Sequence, residues 1–270
     1  MAVDPTDAQG STEAPITRTL TYVDVHGARR VVTEDELADL GKPLVVLGEP
    51  GMGKTFLLTK LGTAPNHELV TAKGLLRRDP ARSVPSDRVL VIDALDEVAS
   101  ARSDDPIQLV LRQLAALGSP PFILSCRSAD WRSAIAKHDI GEDYGRTPIE
   151  LRLNPFTDDD ALTWLSSRMD PDRARRTIEQ LNERGLEALF GNPLMLKLVS
   201  QLAGQDGSLP GTRTEVFEGA CDRLWAEPNA RYTATALNSL NRAQALDAAG
   251  AAFAALLLTG SEALSREAAG

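Results

Sequence analysis

Short apolar runs separated by amphipathic stretches set the pattern of the first half of this chain. Leu44-Val45-Val46-Leu47, Val89-Leu90-Val91-Ile92 and Phe122-Ile123-Leu124-Ser125 are nearly continuous hydrophobic runs of strand length, as strands covered on both faces require. Segments 68–71 and 149–153 read as two further strands, less uniformly apolar. Helical spacing between them predicts helices over 54–61, 106–117 and 131–138, so strand and helix alternate and the strands are parallel with crossover connections. Upstream, 20–25 alternates as an edge strand does, and His26-Gly27 reads as a turn before Arg30-Val31-Val32. Thr33 and Glu36 then form a capping-box signature for a helix over 34–40 that Gly41 ends. After Pro155 the strand patterns stop, and helices are predicted over 158–169, 171–184, 186–190, 193–202, 214–225 and 242–258. The expected organisation is a loosely attached arm over 1–16, an α/β domain over 17–155 and an all-α domain over 156–270.

Candidate chemistry sits where these elements meet. Gly48-Glu49-Pro50-Gly51-Met52-Gly53-Lys54-Thr55 matches the phosphate-binding pattern G-x-x-x-x-G-K-[ST], with a predicted strand before it and a predicted helix after it. Glycines let successive backbone N–H groups turn inward as an anion nest, and the positive end of the helix dipole points to the same place. Gly48, Glu49, Pro50, Gly51, Met52, Gly53, Lys54, Thr55 and the following Phe56 are therefore the candidate nucleotide contacts. Lys54 reaches the β- and γ-phosphates, and the Thr55 hydroxyl is a ligand for Mg²⁺.

A second element, Val89-Leu90-Val91-Ile92-Asp93-Ala94-Leu95-Asp96-Glu97, is a strand that ends in acid. Asp93 emerges at the carboxyl edge of the sheet, where open α/β folds bind ligands, and its carboxylate suits Mg²⁺ opposite Thr55. Asp96 and Glu97 follow, placed to orient or deprotonate an attacking water. Arg127, after the next strand, reaches the same edge and is a candidate for stabilising charge on the γ-phosphate. One strand and one helix fit between Thr55 and Asp93. That insertion is the arrangement of the large ATPase branch, so the expected sheet is a parallel five-stranded one of 51432-type order.

Composition narrows the setting. The 270 residues are 43% hydrophobic and 25% charged, ordinary for a globular protein, and the formal net charge of −9 argues against a dedicated nucleic-acid surface. Arg173, Arg175 and Arg176 read as a solvated helix face. Cys126 and Cys221 lack partners at metal-ligand spacing, so the cytoplasm is the expected compartment. Segment 248–258 is too short for a membrane span, and the first residues lack the pattern of a signal peptide. Trp131 and Trp164 read as packing residues rather than base-stacking ones, and Ser125 lacks the glycines of a nucleophile elbow.

These motifs resemble, in order, those of the NACHT branch of the STAND NTPases, a group of signal-transducing switches. The resemblance is carried by Gly48 to Thr55, Asp93-Ala94-Leu95-Asp96-Glu97, Ser125-Cys126-Arg127, Leu153-Asn154-Pro155-Phe156-Thr157 and Gly191-Asn192-Pro193-Leu194-Met195-Leu196. It covers roughly residues 40 to 230. It implies that Pro193 approaches the bound nucleotide and that the protein exchanges between a closed ADP state and an open ATP state that forms a homo-oligomer. Bacterial members of similar appearance act in defence against phage, triggered by a protein or phage-derived signal. The chain shows neither the effector domain nor the repeat array of that plan, which implies the front part of a longer protein or a minimal NTPase serving a partner. An AAA-type motor or loader, a nucleotide kinase and a nucleotide-binding scaffold without turnover are the alternative readings.

Overall fold

The computed structural model describes residues 16–41, 43–95, 105–131, 133–226 and 241–259. All of the expected arm except Ile16 lies outside the described residues, and so do Asp96 and Glu97.

Seven strands form one sheet: β1 (Thr19–Val23), β2 (Arg29–Thr33), β3 (Leu44–Leu47), β4 (His67–Thr71), β5 (Val89–Asp93), β6 (Phe122–Cys126) and β7 (Ile149–Leu153). Their order is β2-β1-β7-β3-β6-β5-β4. The last five of that order are mutually parallel, and counted in chain order they run 5-1-4-3-2. The expected five-stranded sheet is nevertheless too narrow. β1 pairs antiparallel with both β2 and β7, with Leu20 opposite Leu153, so β2 and not β1 is the edge. Alternation told which faces β1 offers; it said nothing of its neighbour, and an antiparallel strand with one wet face fits inside a sheet as well as at its rim.

Successive residues of the central strands serve opposite cores, as a period of two demands. Val45, Leu47, Leu90, Ile92 and Leu124 pack on one side. Leu44, Val46, Val91, Ile123 and Leu151 pack on the other. All ten are essentially removed from water, each stabilising the fold by about 1.5–3 kcal/mol.

The helices are α1 (Lys54–Leu61), α2 (Ala72–Leu75), α3 (Pro106–Ala116), α4 (Ser133–Tyr144), α5 (Asp158–Ser166), α6 (Pro171–Glu183), α7 (Glu187–Phe190), α8 (Pro193–Leu202), α9 (Arg213–Ala226) and α10 (Arg242–Thr259). Leu57 and Leu58 of α1 fill the second core, and Val110 and Leu114 of α3 fill the first. The segment Glu34–Leu40 is a 3₁₀ helix, not the α-helix expected; the Glu36 carboxylate still accepts the Thr33 N–H at 2.7 Å, and Gly41 stops it at φ 73°. Short connecting turns commonly take this tighter form. Trp131 precedes α4 rather than starting it, buried with its indole N–H donating to Glu150 at 2.6 Å.

The chain divides into two compact units, Met1–Leu209 and Pro210–Gly270. The first holds the sheet together with α5 to α8. The second holds α9 and α10, where Arg242 pairs with Asp222. No helix of the described residues is long and apolar enough to cross a membrane.

Candidate nucleotide site

The loop between β3 and α1 takes a course that only glycine allows at two points. Gly51 and Gly53 have φ of 79° and 87°, a left-handed backbone that costs other residues about 1–2 kcal/mol. Gly48 extends the ladder by donating to the Cys126 carbonyl, and Met52 N–H donates to Glu49. The Met52 side chain belongs to the core beneath, so only its backbone faces the loop. Glu49 and Pro50 are exposed, as are Thr55 and Phe56 at the start of α1. Lys54 folds back over the loop, its Nζ donating to the carbonyls of Gly48 at 2.6 Å and Glu49 at 3.0 Å.

At the same carboxyl edge, the Ser125 hydroxyl donates to Asp93 Oδ1 at 2.6 Å. The parallel register of β5 and β6 brings the two strand ends level. Ser125 is buried, so this charge-assisted bond fixes the carboxylate's orientation. Ser125 belongs to the Ser125-Cys126-Arg127 motif, but as the end of an apolar run it gave no sign that its hydroxyl would serve Asp93. Ala94, next to Asp93, has φ of 61°. Arg127 follows β6 and is exposed.

Beside the loop lies a cavity of about 600 Å³, within the range of small-ligand sites. Phe56, Phe156, Trp164, Pro193 and Leu194 supply its apolar walls, and Gly51 and Gly53 close it on the loop side. Trp164 thus borders a cavity instead of only packing, with the Arg168 guanidinium 3.8 Å over its ring. Pro193, Leu194 and Lys197 come from α8, which touches the loop directly. The Asn192 side chain caps α8 by accepting from Leu194 N–H at 3.0 Å, and its Nδ2 donates to the Pro50 carbonyl at 2.9 Å. Leu194 N–H also donates to the Gly51 carbonyl at 3.3 Å.

Five charged residues that carried no site signal in the sequence line this cavity: Arg18, Glu34, Lys60, Arg168 and Lys197, of which Arg18 and Glu34 are buried. Arg18 is only 5% exposed, stacks on the Phe156 ring at 4.5 Å and donates from Nη2 to the Asn154 carbonyl at 2.7 Å. Burial lowers its pKa, while Asp160 and Glu34 act to raise it. Glu34, 3% exposed, holds Lys60 through Oε1 at 2.5 Å; its Oε2 is buried without a hydrogen-bond partner. Asn154 ties this corner together: its side chain bonds both Thr19 and Thr21 of β1.

A largely parallel α/β sheet with a glycine loop of this shape opening a helix at its carboxyl edge is the fold of the phosphate-binding-loop class. No family model matches the chain, and no curated protein matches it. Many solved structures are similar to it, three of them as follows. Domain III of the replication initiation protein DnaA from Thermotoga maritima is 14% identical with a TM-score of 0.43, over 70% of this chain and 88% of that one. The Aeropyrum pernix ORC1 protein in complex with DNA is 15% identical with a TM-score of 0.39, over 70% and 62%. AMPPCP-bound DnaA from Aquifex aeolicus is 15% identical with a TM-score of 0.36, over 72% and 62%.

Proposed function

We propose that this chain is an ATP-binding switch of the NACHT kind, exchanging ADP and ATP and hydrolysing ATP slowly with Mg²⁺. The observation that supports the reading most is the pair of hydrogen bonds from Asn192 and Leu194 to the carbonyls of Pro50 and Gly51. A helix tied to the loop backbone is biased by whatever the loop holds, and that bias is what a switch needs. In this reading Lys54 holds the β- and γ-phosphates, and the cavity walled by Phe56 and Pro193 takes the base and sugar.

The oxygen donors of Thr55 and Asp93 fit a small hard cation, and the bond from Ser125 is the kind of outer-shell contact that orients such a ligand. Among the described residues no cluster of His, Cys, Asp or Glu could hold a metal by itself, so Mg²⁺ here would share phosphate oxygens. Bound Mg²⁺ neutralises developing charge on the phosphates. Ser125→Ala is expected to lower turnover about tenfold at limiting Mg²⁺, with Mg²⁺-free ADP affinity unchanged; a titration of ATPase rate against Mg²⁺ checks this.

Asp96 or Glu97 orients the water, and Arg127 stabilises the γ-phosphate. The ATP state assembles into a homo-oligomer, in the cytoplasm, in response to a protein or phage-derived trigger, and the role is bacterial defence. The test uses Glu97→Gln, expected to bind ATP without turnover and to sediment as an assembly in ATP but not in ADP. Identical sedimentation in both nucleotides would remove the switch. Turnover that survives Glu97→Gln and disappears in Asp96→Asn would give the water to Asp96.

A further inference from the structure

The cavity beside the loop contains a buried cation that the phosphate-loop chemistry does not use. Arg18 carries five N–H donors, and one of them, on Nη2, is engaged by the Asn154 carbonyl. No carboxylate among the described residues lies within ion-pair distance of it; Asp160 and Glu34 favour its charge from farther off. A guanidinium this far from water is costly without an anionic partner. The Phe156 ring holds it in place from one face.

That position is informative. A Cβ built on Gly53 would lie 3.6 Å from Arg18 Nη1, which puts the guanidinium against the backbone of the phosphate loop. The apolar walls of Phe156, Trp164 and Pro193 lie on the cavity side. Arg18 therefore stands between the place for terminal phosphates, under Lys54, and the place for an aromatic base. In a nucleotide the sugar and the α-phosphate lie between those two, and of them the phosphate is the anion that a guanidinium fork takes. Glu34 adds a complementary demand in the same cavity, a buried carboxylate oxygen without a donor, and the sugar hydroxyls and base amine of a nucleotide are donors.

We propose that Arg18 is a nucleotide-contacting residue that donates hydrogen bonds to the α-phosphate. The proposal rests on the nucleotide-binding reading of the loop. It assigns the two cations different phosphates: Lys54 the β- and γ-phosphates, Arg18 the α-phosphate.

Adenosine, AMP and ADP distinguish them. Binding of each to the full chain is measured by calorimetry, with competition against a fluorescent ADP analogue where affinity is low. For Arg18→Gln we expect AMP and ADP to lose about the same factor, on the order of 10- to 100-fold, and adenosine to lose little. For Lys54→Ala we expect ADP to lose far more than AMP. Arg18→Lys, keeping the charge without the fork, should recover part of the AMP affinity. A purely structural role for Arg18 would lower adenosine and AMP alike, leaving their ratio unchanged, and that result overturns the proposal. So does a loss confined to ADP. Wild-type protein that binds none of the three removes the nucleotide reading itself, whereas ADP binding that needs Lys54 and ignores Arg18 removes only this proposal.

Discussion

Lys54→Ala is expected to abolish measurable ATP binding, with a loss of affinity of at least about 100-fold. The ammonium is held by the Gly48 and Glu49 carbonyls. It already spans the loop, so little ordering remains to be done when phosphate arrives. Two charge-assisted bonds to phosphate oxygens at about 1.5–3 kcal/mol each exceed the 2.7 kcal/mol or so that a 100-fold change represents. The substitution should leave the fold intact, because Lys54 lies at the rim of the loop and not in either core. Calorimetric titration with ATP beside a thermal melt checks both halves, and an unchanged dissociation constant would refute the assignment.

The second large effect is expected at Gly51. An added Cβ would lie 2.7 Å from Asn192 Oδ1 and 2.8 Å from Leu194 Cβ, closer than real contacts allow. Gly51→Ala therefore carries a double penalty. The backbone at φ 79° costs about 1–2 kcal/mol for a residue with a side chain. Relieving the clash costs about 1–3 kcal/mol more, and the relief available is for α8 to move off the loop. We expect destabilisation of the first compact unit by about 2–5 kcal/mol, seen as a lower urea midpoint, with faster amide exchange at Leu194. A variant as stable as wild type, with Leu194 still protected, would show that α8 does not bear on the loop. Gly48 makes the useful contrast, since its nearest would-be neighbour lies at 3.5 Å.

Much of the scaffold was legible because it is written in local patterns. Apolar runs gave three of the five parallel strands nearly to the residue, and the less uniform stretches 68–71 and 149–153 gave the other two; Asn192-Pro193 gave the start of α8, since a capping side chain and a proline at the first helical position are local signals. What a strand pairs with is not local. The hairpin of β1 and β2 was readable as two strands, yet its place beside β7 depends on contacts across the chain, such as Thr21 to Asn154. The same reason hid Arg18 and Glu34. Each occurs in an ordinary polar context, and only the approach of Asn154, Phe156 and Lys60 makes them buried and cavity-lining. The part Ser125 plays was invisible for a different reason: its chemistry is borrowed from Asp93 on the neighbouring strand.

The wide spacing of these contacts has a consequence for how the protein is made. Arg18 meets Asn154 across 136 residues, and Asn192 meets Pro50 across 142. Closing such long loops is slow compared with forming a helix or a hairpin. During synthesis the loop residues and Lys54 leave the ribosome early, but β7 and α8 follow only after some hundred further residues. The phosphate loop emerges early and completes its pocket late, and a nascent or truncated copy lacking α8 has a cavity without the Pro193 and Leu194 part of its wall. If the cavity takes the nucleotide proposed for it, occupancy would double as a record that the first unit has been completed.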